Sequence, residues 1–282
     1  MNRIPDSDSL TLQVKNALSE DIGSGDLTAA LIPPDKQATA TVLVRESAIL
    51  CGQDWFNTAF KQLDDTLTIN WHQQDGDRLT ANQTICHLQG NARTLLTGER
   101  TALNFLQSLS ATATLTQQYV NAISGLNTCI LDTRKTIPGL RLAQKYAVSC
   151  GGGQNHRVGL FDAVLIKENH IMAAGSITTA VTLAKQQVNE AILIEVEVET
   201  LNQLKEALSI GIGRVLLDNM DLPMLNEAVK INNGMAKLEA SGNITLGNIR
   251  DVATTGVDFI SVGALTKNIK ATDYSMLIEI ET

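Results

Sequence analysis

The chain has 282 residues and a formal charge of −8, and 44% of its residues are apolar while 18% are charged. This length allows one large α/β domain or two smaller ones with a sizeable core, and the composition is typical of soluble globular proteins. Its acidity argues against diffuse binding of nucleic acid, and no apolar run approaches the ~20 residues that span a bilayer.

The N-terminal half predicts a compact mixture of helices and antiparallel strands. Residues 8–20 form an amphipathic helical pattern, and the alternating run ATATVLVRE from Ala38 is typical of a strand. Gln53–Leu63 has helical spacing, the following stretch with Asp-Gly and Gly-Asn turns predicts hairpins, and 93–123 predicts a long helix.

The C-terminal half predicts parallel strands that alternate with helices. Apolar runs lie at 128–133, 162–167, 192–198, 214–219, 237–242 and 258–263. Predicted helices lie between them at Ile177–Gln187, Leu201–Ser209, Pro223–Asn232 and Asn248–Thr255. Later runs recur about every 22 residues, the length of one short βα unit, and near-continuous apolar runs indicate strands buried on both faces. Six units fall short of a complete eight-stranded barrel.

We therefore predict an α/β protein, with an N-terminal α/β sandwich domain and an incomplete (β/α) barrel of about six parallel strands. The predicted domains are 1–110 for the sandwich, 111–266 for the barrel and 267–282 for a C-terminal segment that packs back on the sandwich. The opening sequence MNRIPDSDSLTLQ has no apolar segment and does not resemble a signal peptide. The four cysteines lack metal-ligand spacing, so we expect reduced thiols in a cytoplasmic protein.

Positive charge is concentrated in the stretch Ile130–His170. Its basic side chains are Arg134, Lys135, Arg141, Lys145, Arg157 and Lys167, together with His156 and His170, around the triple glycine 151–153. In an acidic chain this concentration predicts a pocket for a small polyanion.

Polar residues follow the predicted strands, and in a (β/α) barrel such positions meet at one mouth. Helix capping explains Asp218 at the end of its run. It does not explain Lys167 and Glu197, because an unpaired charge in an apolar strand is costly. Glu195, Glu197 and Glu199 share one face of their strand, so at least one of them should meet a cation or a metal.

This mixture of charges fits an anionic substrate that carries Mg²⁺. Arginine binds planar carboxylates through a two-pronged fork, and carboxylates bind Mg²⁺ or its waters. The short loops SGN at 241–243 and VGA at 262–264 offer backbone N–H groups to a phosphate, although each of these glycines taken alone is more often just part of a turn.

Several motifs in the same order resemble the quinolinate phosphoribosyltransferase family. They are ALSEDIGSGDLT, VLVRESAILCG, GERTALNFLQ, DTRKTIPGLR, CGGGQNHRVGLFDAVLIKENH, IEVEVET, LLDN, EASGNI and SVGALT. The resemblance covers nearly the whole chain. It implies an Mg²⁺-dependent enzyme that converts quinolinate and 5-phosphoribosyl 1-diphosphate into nicotinate mononucleotide, diphosphate and CO₂, and a homodimer or larger homo-oligomer with shared active sites.

The resemblance also implies roles for residues at matching positions. Quinolinate would be bound by Arg134, His156, Arg157 and Lys167, with Thr133 beside them and Arg100 contributed by the neighbouring subunit. Phosphoribosyl diphosphate and Mg²⁺ would be bound by Lys135, Glu197 and Asp218. The 5-phosphate would be bound by Ser241, Gly242, Asn243 and Gly263. The implied catalytic set is Lys135, Lys167, Glu197 and Asp218, with Glu197 and Asp218 as the metal positions. The chain has Lys267 where many members have histidine after SVGALT, which keeps a cation there.

Two alternatives share this fold. One is a paralogue associated with molybdenum transport, and the other is a non-catalytic module that binds anions. The full-length match favours the transferase over the paralogue. Retention of Glu197 and Asp218 argues against an anion sensor, which has no need of them.

Overall fold

A computed structural model describes residues 6–281 of the chain. The segment used to judge a signal peptide therefore begins outside the described residues. Between residues 6 and 281, no helix is both long and apolar enough to cross a membrane.

Helices and strands are numbered along the chain. The helices are α1 (Ser7–Ile22), α2 (Gln53–Leu63), α3 (Ala92–Ala122), α4 (Arg141–Cys150), α5 (Glu168–Ala174), α6 (Ile177–Gln187), α7 (Leu201–Ser209), α8 (Leu222–Asn232), α9 (Ile249–Thr254) and α10 (Ala264–Lys267). The strands are β1 (Gln37–Val44), β2 (Ala48–Ile49), β3 (Thr68–Trp71), β4 (Arg78–Leu79), β5 (Gln83–Asn91), β6 (Cys129–Leu131), β7 (Ala163–Ile166), β8 (Leu193–Val198), β9 (Arg214–Asp218), β10 (Lys237–Ser241), β11 (Phe259–Ser261) and β12 (Tyr274–Ile280).

The chain forms two compact units. The first unit contains the chain up to Gln117, Thr136–Gly152 and the chain from Asn268 onward, and the second contains Gln118–Lys135 and Gly153–Lys267. The predicted barrel domain, 111–266, thus includes 136–152, which belongs to the first unit. The domain boundaries themselves stay a prediction.

The first unit is built on an antiparallel sheet of four strands in the order β12-β1-β5-β3. β1 alternates as its sequence predicts, with Ala38, Ala40, Val42 and Val44 buried. The core against it includes the fully buried rings of α2, which are Trp55, Phe56 and Phe60. Burying one such ring contributes about 1.5–3 kcal/mol, so α2 is held mainly by its apolar face.

The second unit is a parallel sheet of six strands in the order β6-β11-β10-β9-β8-β7. The two edges of the sheet are β6 and β7, its first and second strands along the chain, and no pairing between these two strands closes the sheet in the described part of the chain. A bridge from Leu131 to Gln154 lies at the β6 edge. The predicted fold class is confirmed: an antiparallel N-terminal sheet is followed by an incomplete barrel of six parallel strands.

Helices of the second unit begin where the sequence supplies capping side chains. The side chains of Ser176, Thr200 and Asp221 accept backbone N–H groups at the starts of α6, α7 and α8. Such a cap contributes about 1 kcal/mol, because the first N–H groups of a helix have no partner within it. These helices return the chain to the same edge of the sheet, so the strand ends gather at one mouth.

Candidate active site

Lys135 and Gly263 come together at the mouth of the barrel. A Cβ added to Gly263 would lie 3.1 Å from Cδ of Lys135 and 3.7 Å from Oγ1 of Thr133, so the glycine lets these side chains approach the backbone. Thr266 donates to the carbonyl oxygen of Lys135 at 2.7 Å and fixes the loop after β6 from the other side. The predicted positions Thr133, Lys135 and Gly263 are therefore neighbours.

Two guanidinium groups lie close together beside this loop. The pKa of Arg157 is lowered from its usual value, first by burial and second by the positive charge of Arg134. Arg157 is also anchored by a bond from its Nη1 to the carbonyl oxygen of Ala163, at 3.2 Å. Two mutually repelling cations fixed in one place favour a ligand with more than one negative charge.

Lys167 and Glu197 form an ion pair on neighbouring strands. Lys167 directly follows β7 and precedes α5, and its Nζ bonds Oε2 of Glu197. Leu165 pairs with Glu195 in the β7–β8 register, which puts Lys167 level with Glu197 two residues further along. The pair confirms that a carboxylate of this strand meets a cation. Because 46% of the lysine side chain is exposed, the amine remains accessible to a ligand.

A second charged group lies deeper in the same unit. Glu195 is paired with Arg214, whose Nε lies 3.0 Å from Oε1, and Arg214 also binds Oε2 of Glu239. Nε2 of His156 lies 2.9 Å from Oε2 of Glu195. Burial alone would raise the pKa of Glu195, but the bond from His156 and the charge of Arg214 hold it below its usual value. Burial, with repulsion by Glu195, raises the pKa of Glu239.

The loop 241–243 after β10 is shaped by left-handed backbone conformations. Gly242 has φ +98° and Asn243 has φ +53°, and Asn219 on the next strand end also has φ +53°. A Cβ on Gly242 would come within 2.1 Å of Oδ1 of Asn219, so only glycine fits there. Nδ2 of Asn243 donates to Oδ1 of Asn219 at 3.3 Å. Tight turns of this kind leave backbone N–H groups available to an anion.

Four other cations singled out in the sequence lie on helices. Arg100 is exposed on α3 in the first unit, and Lys267 is exposed at the end of α10. Arg141 and Lys145, part of the basic stretch, lie in α4 of the first unit, where Lys145 is 3% exposed. The positive concentration is therefore divided, and four of its six Lys/Arg side chains lie in the second unit.

Gly151, the first residue of the triple glycine, has a packing role inside the first unit. A Cβ on Gly151 would come within 2.3 Å of the carbonyl oxygen of Ala113 and 2.7 Å of Cβ of Thr116, both on α3. Gly151 therefore allows the end of α4 to pack against α3.

The oxygen ligands expected for Mg²⁺ lie on one face of the second unit. Glu197 pairs with Leu216 in the β8–β9 register, and Asp218 follows two residues later on the same face. Both carboxylates are half-buried at strand ends, which suits a hard cation that binds oxygen and keeps several waters. Glu197 is already bound to Lys167, so Asp218 is the more available donor.

Sequence reasoning assigned no role in the site to three residues that organise it. Asp132 is fully buried and accepts the backbone N–H of His156 at 2.9 Å and Nδ2 of Asn155 at 2.7 Å. Arg214 is the first residue of β9, and Glu239 is the middle residue of β10. The sequence did contain one usable signal. Period-2 spacing places Glu195 and Glu197 on the same face of β8, so a charge in the middle of this strand needed partners on the neighbouring strands.

Together these features are those of an α/β barrel enzyme whose mouth carries cations suited to an anionic substrate. Residues 26–110 match the family model "Quinolinate phosphoribosyl transferase, N-terminal domain", and residues 112–277 match the C-terminal domain of the same family.

Known proteins are similar over nearly the whole chain. A Bacillus subtilis protein named "Probable nicotinate-nucleotide pyrophosphorylase [carboxylating]" is 41% identical, over 94% of this chain and 93% of its own. An Arabidopsis thaliana protein named "Nicotinate-nucleotide pyrophosphorylase [carboxylating], chloroplastic" is 42% identical, over 95% of this chain and 82% of its own. The solved nicotinate-nucleotide pyrophosphorylase of Francisella tularensis has a TM-score of 0.95 at 51% identity, covering 99% of this chain and 98% of that one. The chain belongs to the quinolinate phosphoribosyltransferase family.

Proposed function

We propose that the chain transfers the phosphoribosyl group of 5-phosphoribosyl 1-diphosphate to quinolinate with decarboxylation, forming nicotinate mononucleotide for NAD biosynthesis. The observation that carries the proposal is a set of cations around Glu197: Lys167 pairs with this carboxylate, and the pKa of Arg157 responds to the charges of both Arg134 and Glu197. Quinolinate has two adjacent carboxylates, and each charge-assisted hydrogen bond to such a group contributes about 1.5–3 kcal/mol. Thr133 and His156 complete the surroundings of this pocket.

The other substrate would occupy the neighbouring part of the mouth. Lys135 would bind the diphosphate and stabilise the negative charge that develops as it departs. Ser241, Gly242, Asn243 and Gly263 would receive the 5-phosphate through backbone N–H groups, with Lys267 as a further cation. Glu197 and Asp218 would hold Mg²⁺, which supplies positive charge to the diphosphate.

The reaction then needs little covalent chemistry from the protein. The ring nitrogen of quinolinate bonds to the ribose C1 as the bond to diphosphate breaks. The nitrogen becomes a pyridinium, which accepts the electron pair of the carbon–carbon bond when the 2-carboxylate leaves as CO₂. A proton then replaces the carboxylate on that ring carbon. In this scheme the protein orients the 2-carboxylate and removes water from it.

A product assay tests the reaction. The purified protein is incubated with phosphoribosyl diphosphate, Mg²⁺ and either quinolinate or nicotinate, and nicotinate mononucleotide and diphosphate are measured. We expect turnover with quinolinate only. Turnover with nicotinate instead would assign a different phosphoribosyltransferase reaction, and turnover with neither would favour the transport-associated paralogue or a non-catalytic module.

Magnesium dependence is tested separately. We propose that activity disappears with a chelator and returns with Mg²⁺, and that Asp218→Asn raises the Mg²⁺ concentration needed for half-maximal rate. Undiminished activity in the chelator would refute the metal proposal while leaving the transfer reaction in place.

We also propose a cytoplasmic homodimer or larger oligomer with Arg100 acting across subunits. All four cysteines are free thiols, which suits a reducing compartment. The name of the Arabidopsis relative includes "chloroplastic", so fractionation of the native cells is the relevant measurement of location.

A further inference from the structure

The buried cluster of Glu195, Arg214, Glu239 and His156 has no direct part in the proposed reaction. Glu195 and Glu239 are 1% and 0% exposed, and they lie on β8 and β10 with Arg214 on β9 between them. The ring of Phe259 lies 4.3 Å from Cζ of Arg214. Burying three ionisable groups of this kind is costly unless they are paired, so their retention inside the barrel calls for a reason.

The ring nitrogens of His156 show which atom carries the proton. The backbone N–H of Arg157 donates to Nδ1 at 2.7 Å. An amide N–H can only donate, so Nδ1 must present its lone pair. Nε2 lies 2.9 Å from Oε2 of Glu195 and 3.6 Å from Oε2 of Glu239, so this nitrogen faces the carboxylates. The contacts therefore describe a neutral imidazole with its proton on Nε2.

A histidine and two carboxylates could in principle hold a metal ion, since their ligand atoms lie within 4.8 Å of one another. The guanidinium of Arg214 already supplies the positive charge between the carboxylates. It binds Oε1 of Glu195 and Oε2 of Glu239 at once. The group is therefore better described as a support for His156 than as a metal site.

The main chain around His156 is held from a second direction. Asp132 accepts the N–H of His156 through one carboxylate oxygen and Nδ2 of Asn155 through the other. The segment 155–157 is thus fixed by Asp132 at its start and by the histidine ring at its end. Arg157 is the last residue of this segment, and its side chain is close enough to Arg134 to be influenced by its charge.

We propose that Glu195, Arg214 and Glu239 are positioning residues, which hold His156 as a neutral donor and acceptor and so fix Arg157 in the quinolinate pocket. His156 is then itself a positioning residue and not a cationic ligand of quinolinate. The inference rests on the proposed pocket at Arg134 and Arg157. A ligand-binding arginine is effective only when its surroundings hold it within a fraction of an ångström of the productive geometry.

The first test is the proton on His156. The whole protein, labelled with ¹⁵N in its four histidines, is examined by NMR at pH 7, and His156 is identified by the signal lost in His156→Asn. We expect one bare and one protonated ring nitrogen, with the proton on Nε2. A doubly protonated His156, or a proton on Nδ1, would overturn the proposal. The measurement does not depend on turnover, so it stands even if the proposed function fails.

The second test is kinetic. In Arg214→Met we expect the KM for quinolinate to rise roughly tenfold, while kcat and the KM for phosphoribosyl diphosphate change by less than about twofold, because the lost interaction concerns binding of one substrate. Arg214→Lys keeps the charge without the fork that spans both carboxylates, so its KM should fall between the two. Equal losses for both substrates, or no change in an active, folded Arg214→Met protein, would contradict the proposal.

Two further variants separate positioning from charge. Asn can accept the N–H of Arg157 without a positive charge, so His156→Asn should keep the KM for quinolinate well below that of His156→Ala. Equal impairment of both variants would indicate that quinolinate needs a cation at this position.

Lys237→Met is the matched control, because it removes an ion pair with Asp258 from β10 outside the cluster. If Arg214→Met fails to fold by circular dichroism, Arg214→Lys and the histidine variants still decide the question.

Discussion

At the scale of single residues, Arg134 offers the sharpest test of the quinolinate pocket. We expect Arg134→Ala to raise the KM for quinolinate by roughly 10- to 100-fold, since it removes charge-assisted bonds of about 1.5–3 kcal/mol. Arg134→Lys should recover only part of this, because an ammonium cannot form a two-pronged contact with a carboxylate. Steady-state kinetics with each substrate varied in turn measures the effect.

Lys205→Ala is the control for Arg134, because Lys205 is an exposed cation on α7. It should leave both KM values unchanged. An unchanged KM for quinolinate in Arg134→Ala would show that the dicarboxylate binds elsewhere.

Asp75 gives a pH-dependent prediction for the first unit. Its carboxylate accepts the N–H groups of Gly52 and Gln53 at the start of α2 and the hydroxyl of Tyr146. Burial is the main reason that its pKa lies above the ordinary value of 3.8. The folded chain therefore holds this proton more tightly than the unfolded chain, and the group destabilises the fold as the pH rises through the folded pKa.

Wild-type protein should accordingly lose stability relative to Asp75→Asn as the pH rises from below about 4 to 7. Urea unfolding of both proteins at the two pH values measures the difference in their free energies of unfolding. The contributions of the other carboxylates cancel in this difference, because both proteins contain them. A difference that is constant, or that grows in favour of the wild type with rising pH, would contradict the raised pKa.

At the scale of elements, Gly151 sets how closely α4 packs on α3. Gly151→Ala should destabilise the protein by about 1–3 kcal/mol, because its Cβ would overlap the backbone oxygen of Ala113 and neither helix can move without repacking. Thermal and denaturant unfolding measure the loss. Gly213→Ala is the control, since nothing lies within 4 Å of a Cβ there. Equal stability of the two variants would show that α4 is not packed as described.

The elements themselves were largely predictable from sequence. Ile177–Gln187 and Leu201–Ser209 were predicted with the bounds that α6 and α7 have, because a capping side chain stands directly before a periodic apolar face. α4 was missed, since its residues lay within the stretch Ile130–His170, which was interpreted only through its positive charge. Its buried Lys145 gives no apolar signal although it packs inside the first unit.

The exposed charged residues of the candidate site were predictable from sequence, but the buried residues that hold them in place were not. Lys167 and Glu197 were identified because a charge at the end of an apolar strand needs a partner, and the pair is present. No role was assigned to Arg214 or Asp132. Their roles depend on strand order and on the open edge beside β6, and neither property is written in the local sequence.

At the scale of the whole molecule, the proposed sharing of active sites between subunits is testable by mixing. Arg100→Ala and Lys167→Ala chains, each inactive alone, are unfolded together and refolded in equal amounts. If Arg100 acts across a dimer, half of the dimers are mixed and each contains one intact site, so about one quarter of wild-type activity should return. Activity that stays at the level of the separate variants would place Arg100 in the active site of its own chain or outside any site.

The central claim is that this chain joins quinolinate to the phosphoribosyl group and then removes the 2-carboxylate. Quinolinate labelled with ¹³C in the 2-carboxylate is supplied to the wild-type protein with Mg²⁺, with and without phosphoribosyl diphosphate. We predict one labelled CO₂ for each nicotinate mononucleotide formed, and none without phosphoribosyl diphosphate, because the ring nitrogen must carry the ribose before it can accept the electron pair. Release of labelled CO₂ without the second substrate, or formation of a mononucleotide that retains the label, would contradict the account.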